Sequence, residues 1–467
     1  MASERTYDLV VIGSGPAGEK AAVQAAYFGR SVAIVERAPE PGGAGVHTGT
    51  LPSKTLRETA LYLSGHHSRE LYGVAVSLDR TATLSALMSR KAAIQASESA
   101  RIRQNLAAHG VELVAGNARV SAPGEVRVRG ADGERVLRAT EVLVATGSRP
   151  FHPPGIDFAD SHVHDSDEIL ELPHLPERLV VLGAGVIGCE YACMFAALGS
   201  QVVLVDPRDQ ILPFLDEQLV TQLVESMRTL GVETLLGRRF GAVERDERGI
   251  VATLGDGTRA SGDQLLYAAG RIGNTDGLGL AEVGVELDGR GYVKVDARYA
   301  TRVPGIWAAG DVIGFPALAS ASMEQGRVAV CHAFGLGYKQ AVAETMPYGI
   351  YTIPELSGVG ETERVARERG EPVVVGVARW ADNARGKICG AADGLTKLVV
   401  SAESRRLLGV HVIGQGATEL VHVGQAVLHL GGTVDLFIDM VFNFPTLAES
   451  YKYAAYDCLR ALGARGK

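Results

Sequence analysis

YDLVVIGSGPAG at residues 7–18 and RLVVLGAGVIG at residues 178–188 decide the architecture of this chain. Each is an apolar run of strand length that ends in glycines spaced G-x-G-x-x-G and leads into a stretch of helical character. Gly13, Gly15 and Gly18 form the first set, and Gly183, Gly185 and Gly188 the second. A backbone that turns this tightly and lets a pyrophosphate approach needs residues without a Cβ. The helix behind the turn offers amide donors and the positive end of its dipole. The following strands, SVAIVE and QVVLVD, end in Glu36 and Asp206, each 23 residues past the first glycine of its turn. A carboxylate there accepts hydrogen bonds from the two hydroxyls of an adenosine ribose. One such match is weak; two complete ones predict an α/β fold with two doubly wound dinucleotide-binding domains.

The second acid leaves the nucleotide open. A carboxylate about 4 Å from a 2′-phosphate costs roughly 1–4 kcal/mol, depending on the effective dielectric, so Asp206 read alone favours NAD over NADP. Arg208, two residues on, can offset that repulsion or clasp the phosphate, and can equally be a solvated loop charge. Arg238 and Arg239 are weaker candidates for the same task.

Composition narrows the class. At 467 residues the chain exceeds one ordinary core, so several domains are expected. Hydrophobic content of 46% with 21% charged residues describes a packed globular enzyme, not a disordered chain. A net charge of -8 with no basic tract argues against nucleic acid or an acidic membrane surface as partner. No apolar run reaches the roughly 18–20 residues of a membrane span. The N-terminus, MASERTYDLVVIG, enters the first strand almost at once, without signal-peptide architecture. Cys189, Cys193, Cys331, Cys389 and Cys458 form no disulfide framework and fit a reducing cytoplasm. Cys189 and Cys193 stand four apart on a predicted helix, but no Cys or His cluster accompanies them. They read as buried small apolar residues, and no metal site is expected.

Residues 55–110 carry Ala, Leu, Arg and Glu at helical spacing, and 111–144 turn to short strands around APGE and ADGE. ATGSRP (145–150) and AAGRIGN (268–274) read as crossovers between domains. After Met346-Pro347 the strand-like pieces PVVVGVARW, TKLVVSAES and RRLLGVHVIG precede helical stretches at 417–429 and 446–463, a separate α+β domain. The expected division assigns 1–148 and 272–346 to the first nucleotide domain, 149–271 to the second and 347–467 to the last.

GSGPAG, Glu36, GGAGVHTGTLPSK at 42–54, ATGSRP, GAGVIGCEYA, IWAAGDV at 306–312 and FNFPTLAE at 442–449 come in a telling order. It is the order of the pyridine nucleotide-disulfide oxidoreductases, which the chain resembles over essentially its whole length. HTGTLPSKTLRE, RIGNTDGLGL, DVIGFPALASASMEQGR and FNFPTLAESYKYAA resemble the transhydrogenase branch of that family. The resemblance implies FAD in the first cleft, NAD(P)(H) as substrate in the second, and a homodimer formed through residues 347–467. It implies that Thr50, Thr146, Gly147 and Gly270 lie against the cofactors. It also implies that Gly310 and Asp311 close the FAD site, with the acid on the ribityl chain. The helix near Ala319 to Glu324 would aim its N-terminus at the flavin pyrimidine edge, where the dipole favours the charge of reduced flavin. Lys54 matches the lysine beside flavin N5, and Glu190 the acid that pairs with it. An ammonium there stabilises reduced flavin, and the carboxylate keeps the ammonium charged. Val186 stands where some relatives place an aromatic gate, which suggests an open nicotinamide pocket.

The same resemblance isolates what is missing. The family's redox-active cysteine pair falls on Gly45 and Thr50. A thiol–disulfide shuttle requires a thiolate attacking a partner sulfur, which neither residue provides. The family's acid/base histidine falls on Phe444, which has no titratable group, while Glu449 is kept. His47, the imidazole nearest the expected flavin position, reads as a packing or hydrogen-bonding residue. The expected enzyme is therefore an FAD-dependent oxidoreductase that passes hydride between NADPH and NAD without a redox disulfide. An NAD(P)H dehydrogenase or oxidase delivering electrons to a quinone, a dye or oxygen is the alternative. A flavin-bound sensor without catalysis fits least, because both glycine turns and the Lys54–Glu190 pair are retained.

Overall fold

The computed structural model describes residues 5–65, 72–73, 79–247 and 249–465. Its first sheet is centred on strand Arg5–Ile12, which pairs in parallel with Val32–Glu36 and with Gly133–Val144. Glu112–Ala115 extends the sheet beyond Val32–Glu36, and Ile306–Ala308 joins Gly133–Val144, again in parallel. Every residue of VAIVE is buried, as expected of a parallel strand covered on both faces. Glu125–Gly130 and Asn117–Ala122 continue the sheet as an antiparallel meander. Helix Pro16–Tyr27 presents Ala17, Ala21, Ala22 and Ala25 to the core and packs on helix Ala319–Ala333. The two backbones approach so closely that a Cβ on Gly326 would sit 2.3 Å from the Ala17 carbonyl oxygen.

The second glycine turn belongs to its own sheet. Val232–Leu236, Gln201–Asp206, Arg178–Leu182, Gln264–Tyr267 and Val163–His164 lie side by side in that order, all parallel. Phe240–Asp246, Gly249–Leu254 and Arg259–Gly262 form a separate antiparallel sheet beside it, which the sequence reading did not resolve. The two expected crossovers meet each other. Ser148–Pro150 pairs antiparallel with Arg271–Gly273, and the Arg271 Nε donates to Ser148 Oγ at 2.9 Å. The chain thus leaves and re-enters the first unit through one two-stranded ribbon.

The last unit is a five-stranded antiparallel sheet ordered Tyr348–Ile350, Leu356–Gly360, Leu407–Ile413, Leu395–Ser401 and Val373–Arg379. Helix Ala417–His429 coincides with its expected span, whereas the last helix, Ser450–Arg465, starts later than expected. A short helix, Asp435–Asp439, intervenes. Strands 348–350 and 356–360 escaped the sequence reading because the first is three residues long and the second, LSGVG, is glycine-rich. Within the helical expectation for 55–110, the structure gives Thr50–Ser64 and Arg80–Ala108; residues 66–71 and 74–78 lie outside the described residues.

Lys397, on the last sheet, joins this unit to the second nucleotide unit. Its ammonium lies 3.0 Å from Asp216 and 2.8 Å from Glu363, and both Lys397 and Asp216 are almost wholly buried. Asp216 also caps helix Glu217–Leu230. Breaking a buried pair leaves one charge uncompensated in a low-dielectric interior. The Lys397→Ala variant is expected to lose about 3–5 kcal/mol of stability, read as a lower urea midpoint. An unchanged midpoint would refute the assignment of this contact as an anchor.

Candidate functional site

The first cleft is built from backbone. Gly13 has a φ of +100°, and a Cβ there would lie 2.5 Å from the Ala145 carbonyl oxygen. A Cβ on Gly18 would lie 1.9 Å from the oxygen of Gly13, so the turn and the helix behind it close only with glycine. Gly15 is the N-cap of Pro16–Tyr27 and no side chain caps it, which leaves the first amides of the helix for an anion. Glu36, at the end of the next strand, is buried. Its Oε2 accepts from Ser14 N (2.9 Å) and Ser14 Oγ (2.6 Å), and its Oε1 from Ala38 N (2.8 Å). A carboxylate offers about four acceptor positions, so Oε1 keeps one for a ribose hydroxyl.

The remaining parts of this cleft come from distant segments. Asp311 follows Gly310 (φ +83°) and accepts from Ser322 Oγ at 3.1 Å and Ser148 Oγ at 3.3 Å. Thr146 Oγ1 donates to the Asn274 carbonyl at 2.7 Å, and Asn274 N donates to Gly147 O at 3.0 Å. Gly270 instead goes with the second cleft, because its neighbour Ala269 has its Cα 2.9 Å from where a Cβ on Gly183 would lie; its φ is +149° and its carbonyl accepts from Phe151 N. Leu318 caps helix Ala319–Ala333 without a side-chain hydrogen bond. An uncapped helix end, crowded glycines and an acid with a vacant acceptor position form a donor and acceptor set that fits FAD.

Lys54 and Glu190 meet. The ammonium lies 2.7 Å from Glu190 Oε2 and 3.3 Å from Ser53 Oγ. Glu190 is nearly buried and Lys54 about a quarter exposed. A residue that the sequence reading missed holds both partners. The Tyr351 amide donates to Glu190 Oε1 at 2.9 Å, and the Tyr351 ring centroid lies 5.0 Å from the Lys54 ammonium. Tyr351 comes from the last unit, and no local motif marks it. Thr50 opens helix Thr50–Ser64 and is exposed, while a Cβ on Gly45 would lie 2.9 Å from Pro16 Cγ. The short helix Gly43–His47 is therefore pressed against the first glycine turn at Gly45.

His47 is engaged elsewhere: its Nε2 lies 3.1 Å from the Pro41 carbonyl and 3.5 Å from Ser99 Oγ. Cys189 and Cys193 are buried free thiols. Burial holds both in the protonated form, pushing Cys193 up to about 12. Among the described residues no group of His, Cys, Asp or Glu is arranged to hold a metal ion. Phe444 is 74% exposed, close in sequence to the exposed Met440 and Val441.

The second cleft repeats the first with one difference. Gly185 caps Val186–Ala197 with φ -78° and ψ -172°, again with no side-chain cap, and a Cβ on Gly188 would lie 1.8 Å from Gly183 O. Val186 is the first residue of that helix. Asp206 accepts from Ala184 N (2.6 Å) and from Arg208 N (2.9 Å), Nε (2.8 Å) and Nη2 (2.7 Å). Burial alone would push its carboxyl up, but the Arg208 guanidinium and these amides outweigh that and hold it below the usual carboxylate range. Arg238 is engaged by Asp256 and Thr258 instead.

Comparison with known proteins agrees with this geometry. Residues 7–326 match the Pyridine nucleotide-disulphide oxidoreductase family, and residues 346–455 match its dimerisation domain. The chain is 47% identical over 464 residues to the soluble pyridine nucleotide transhydrogenase of Mycobacterium bovis (strain BCG / Pasteur 1173P2), covering 98% of both chains. It is 39% identical to the protein of that name from Hahella chejuensis, covering 98% of this chain and 100% of the other. It is similar to the crystal structure of LpdA from Mycobacterium tuberculosis, with a TM-score of 0.88, 30% identity and 96% and 99% of the two chains covered. The HOCl-induced flavoprotein disulfide reductase RclA from Escherichia coli, as its Cu(II) complex, gives a TM-score of 0.87 at 27% identity over 97% and 99%. Among the described residues no helix is long and apolar enough to cross a membrane. The chain belongs to the pyridine nucleotide-disulphide oxidoreductase family, as a homodimeric flavoenzyme that binds FAD and acts on nicotinamide dinucleotides.

Proposed function

We propose that this enzyme passes hydride between NADPH and NAD, with no protein disulfide in the path. The observation that carries the reading is the pairing of an intact Lys54–Glu190 contact with Gly45 and Thr50 on the adjoining segment. FAD, held by the first cleft, would supply the hydride-accepting and hydride-donating chemistry that the protein's side chains lack. The chain's own residues bind, orient and set charge. Gly13, Gly15, Gly18 and Glu36 hold the adenosine half of FAD, with Thr50, Thr146, Gly147, Gly310 and Asp311 along the rest of it. Gly183, Gly185, Gly188, Asp206, Arg208 and Gly270 hold the dinucleotide substrate. Lys54 would place a positive charge where reduced flavin gathers negative charge, and Glu190 holds that ammonium in position at 2.7 Å. Hydride transfer asks for no protein acid or base, which fits Phe444 standing where a histidine would serve thiol chemistry. In this reading residues 1–148 with 272–346 form the FAD domain, 149–271 the NAD(P) domain and 347–467 the interface domain. The unpaired cysteines support a place in the reducing cytoplasm.

Anaerobic stopped-flow tests the transfer directly. NADPH should bleach the flavin absorbance, and NAD added afterwards should restore it. Bleaching that NAD fails to reverse, while a quinone or oxygen reverses it, would overturn the proposal. The Lys54→Ala variant should bleach about tenfold to a hundredfold more slowly than the parent. The two glycine turns should separate by ligand: Gly18→Ala is expected to purify without flavin. Gly188→Ala should stay yellow but lose nucleotide binding in a titration of the bound flavin. Equal flavin content in all three proteins, with equal nucleotide affinity, would contradict the assignment of the two clefts.

A further inference from the structure

The two clefts differ in how full their acids are. Glu36 receives three hydrogen bonds and keeps one acceptor position. Asp206 receives four, which fills a carboxylate's complement of about four lone-pair positions. A ribose diol can therefore reach Asp206 only by displacing a donor. The amides of Ala184 and Arg208 belong to the turn and cannot leave. The displaceable donors are Nε and Nη2 of the Arg208 side chain, which is 47% exposed. The third guanidinium nitrogen, Nη1, makes no hydrogen bond among the described residues. A side chain pinned by two bonds, half in solvent and with a free donor, is built to be exchanged.

We propose that Arg208 and Asp206 form an exchangeable pair that lets one cleft take both dinucleotides. With the guanidinium docked, Asp206 is neutralised and Nη1 is offered to a 2′-phosphate, the state that takes NADP(H). With the guanidinium displaced into solvent, Asp206 regains two acceptor positions for the 2′- and 3′-hydroxyls, the state that takes NAD(H). An unpaired carboxylate at that position would repel the 2′-phosphate, and a fixed guanidinium would deny the diol its acceptor. Only a movable cation satisfies both ligands. The inference rests on the reading that NADPH and NAD use the same cleft, and it names the residues that make the sharing physically consistent.

The test is calorimetric titration of the FAD-loaded protein with 5′-AMP and with 2′,5′-ADP, which differ only in the 2′-phosphate. The parent should bind both. Arg208→Ala should weaken 2′,5′-ADP at least about tenfold, because the cation is lost and the carboxylate bared, and should not weaken 5′-AMP. Asp206→Asn should act in the opposite sense, weakening 5′-AMP about threefold or more while leaving 2′,5′-ADP bound as tightly or tighter. This crossed response would establish the pair, since a merely structural role moves both ligands together. Parallel losses in either variant, an unchanged ratio in Arg208→Ala, or a parent that binds only one ligand would each overturn it. A crossed response in a protein that passes no hydride from NADPH to NAD would refute the transfer reaction alone. Transfer with parallel losses would refute the pair alone.

Discussion

An ammonium and a carboxylate 2.7 Å apart, Lys54 and Glu190, tie three parts of the chain to one point. Lys54 sits on helix Thr50–Ser64 of the first unit, Glu190 on the helix that opens the second cleft, and Tyr351 in the last unit grips both. Removing these charges from water is costly, and the contact persists because each charge is answered. The carboxylate has the ammonium and an amide; the ammonium has the carboxylate, a hydroxyl and an aromatic face. A shift of any one unit would leave a buried charge partly unpaired. The position of the second nucleotide unit against the first is thereby coupled to this ion pair.

A second constraint acts within each cleft. The glycine turns bring a helix end within van der Waals contact of the strand loop, as the 1.9 Å and 1.8 Å positions of a hypothetical Cβ at Gly18 and Gly188 make plain. The two turns are near copies, so they do not explain why one cleft retains its nucleotide and the other exchanges it. The acids beyond them differ. Glu36 is held by the small Ser14 side chain and by backbone amides, whereas Asp206 is held by a long, half-exposed cation. A ligand meeting Glu36 finds a preformed acceptor; one meeting Asp206 must first settle with Arg208.

Gly45 and Thr50 place no thiol on the segment beside Lys54, and the cysteines elsewhere are free; Cys189 and Cys193 are held protonated by burial. The family's two-cleft frame is kept. Val441 and Phe444 are strongly exposed on the last unit, which matches the family's dimerisation domain.

Much of this was readable along the chain, because the decisive features are local. A glycine turn needs three absent side chains at fixed spacing, and an acid at the end of the next strand needs only the length of one helix and one strand. Both nucleotide units, their acids and the broad three-part order follow from such short-range rules, whereas the absent cysteine pair was legible only through the family resemblance. Tertiary structure decided what depends on residues far apart in sequence. The small antiparallel sheet at 240–262, the hold of Tyr351 on a pair 161 to 297 positions away, and the ribbon joining residues 148–150 to 271–273 leave no periodic trace. The filling of Asp206 by Arg208 was closer to hand but equally hidden. Two neighbouring charges say nothing about whether they face each other until the turn between them is folded, because side-chain direction is set by backbone geometry and not by proximity in the chain.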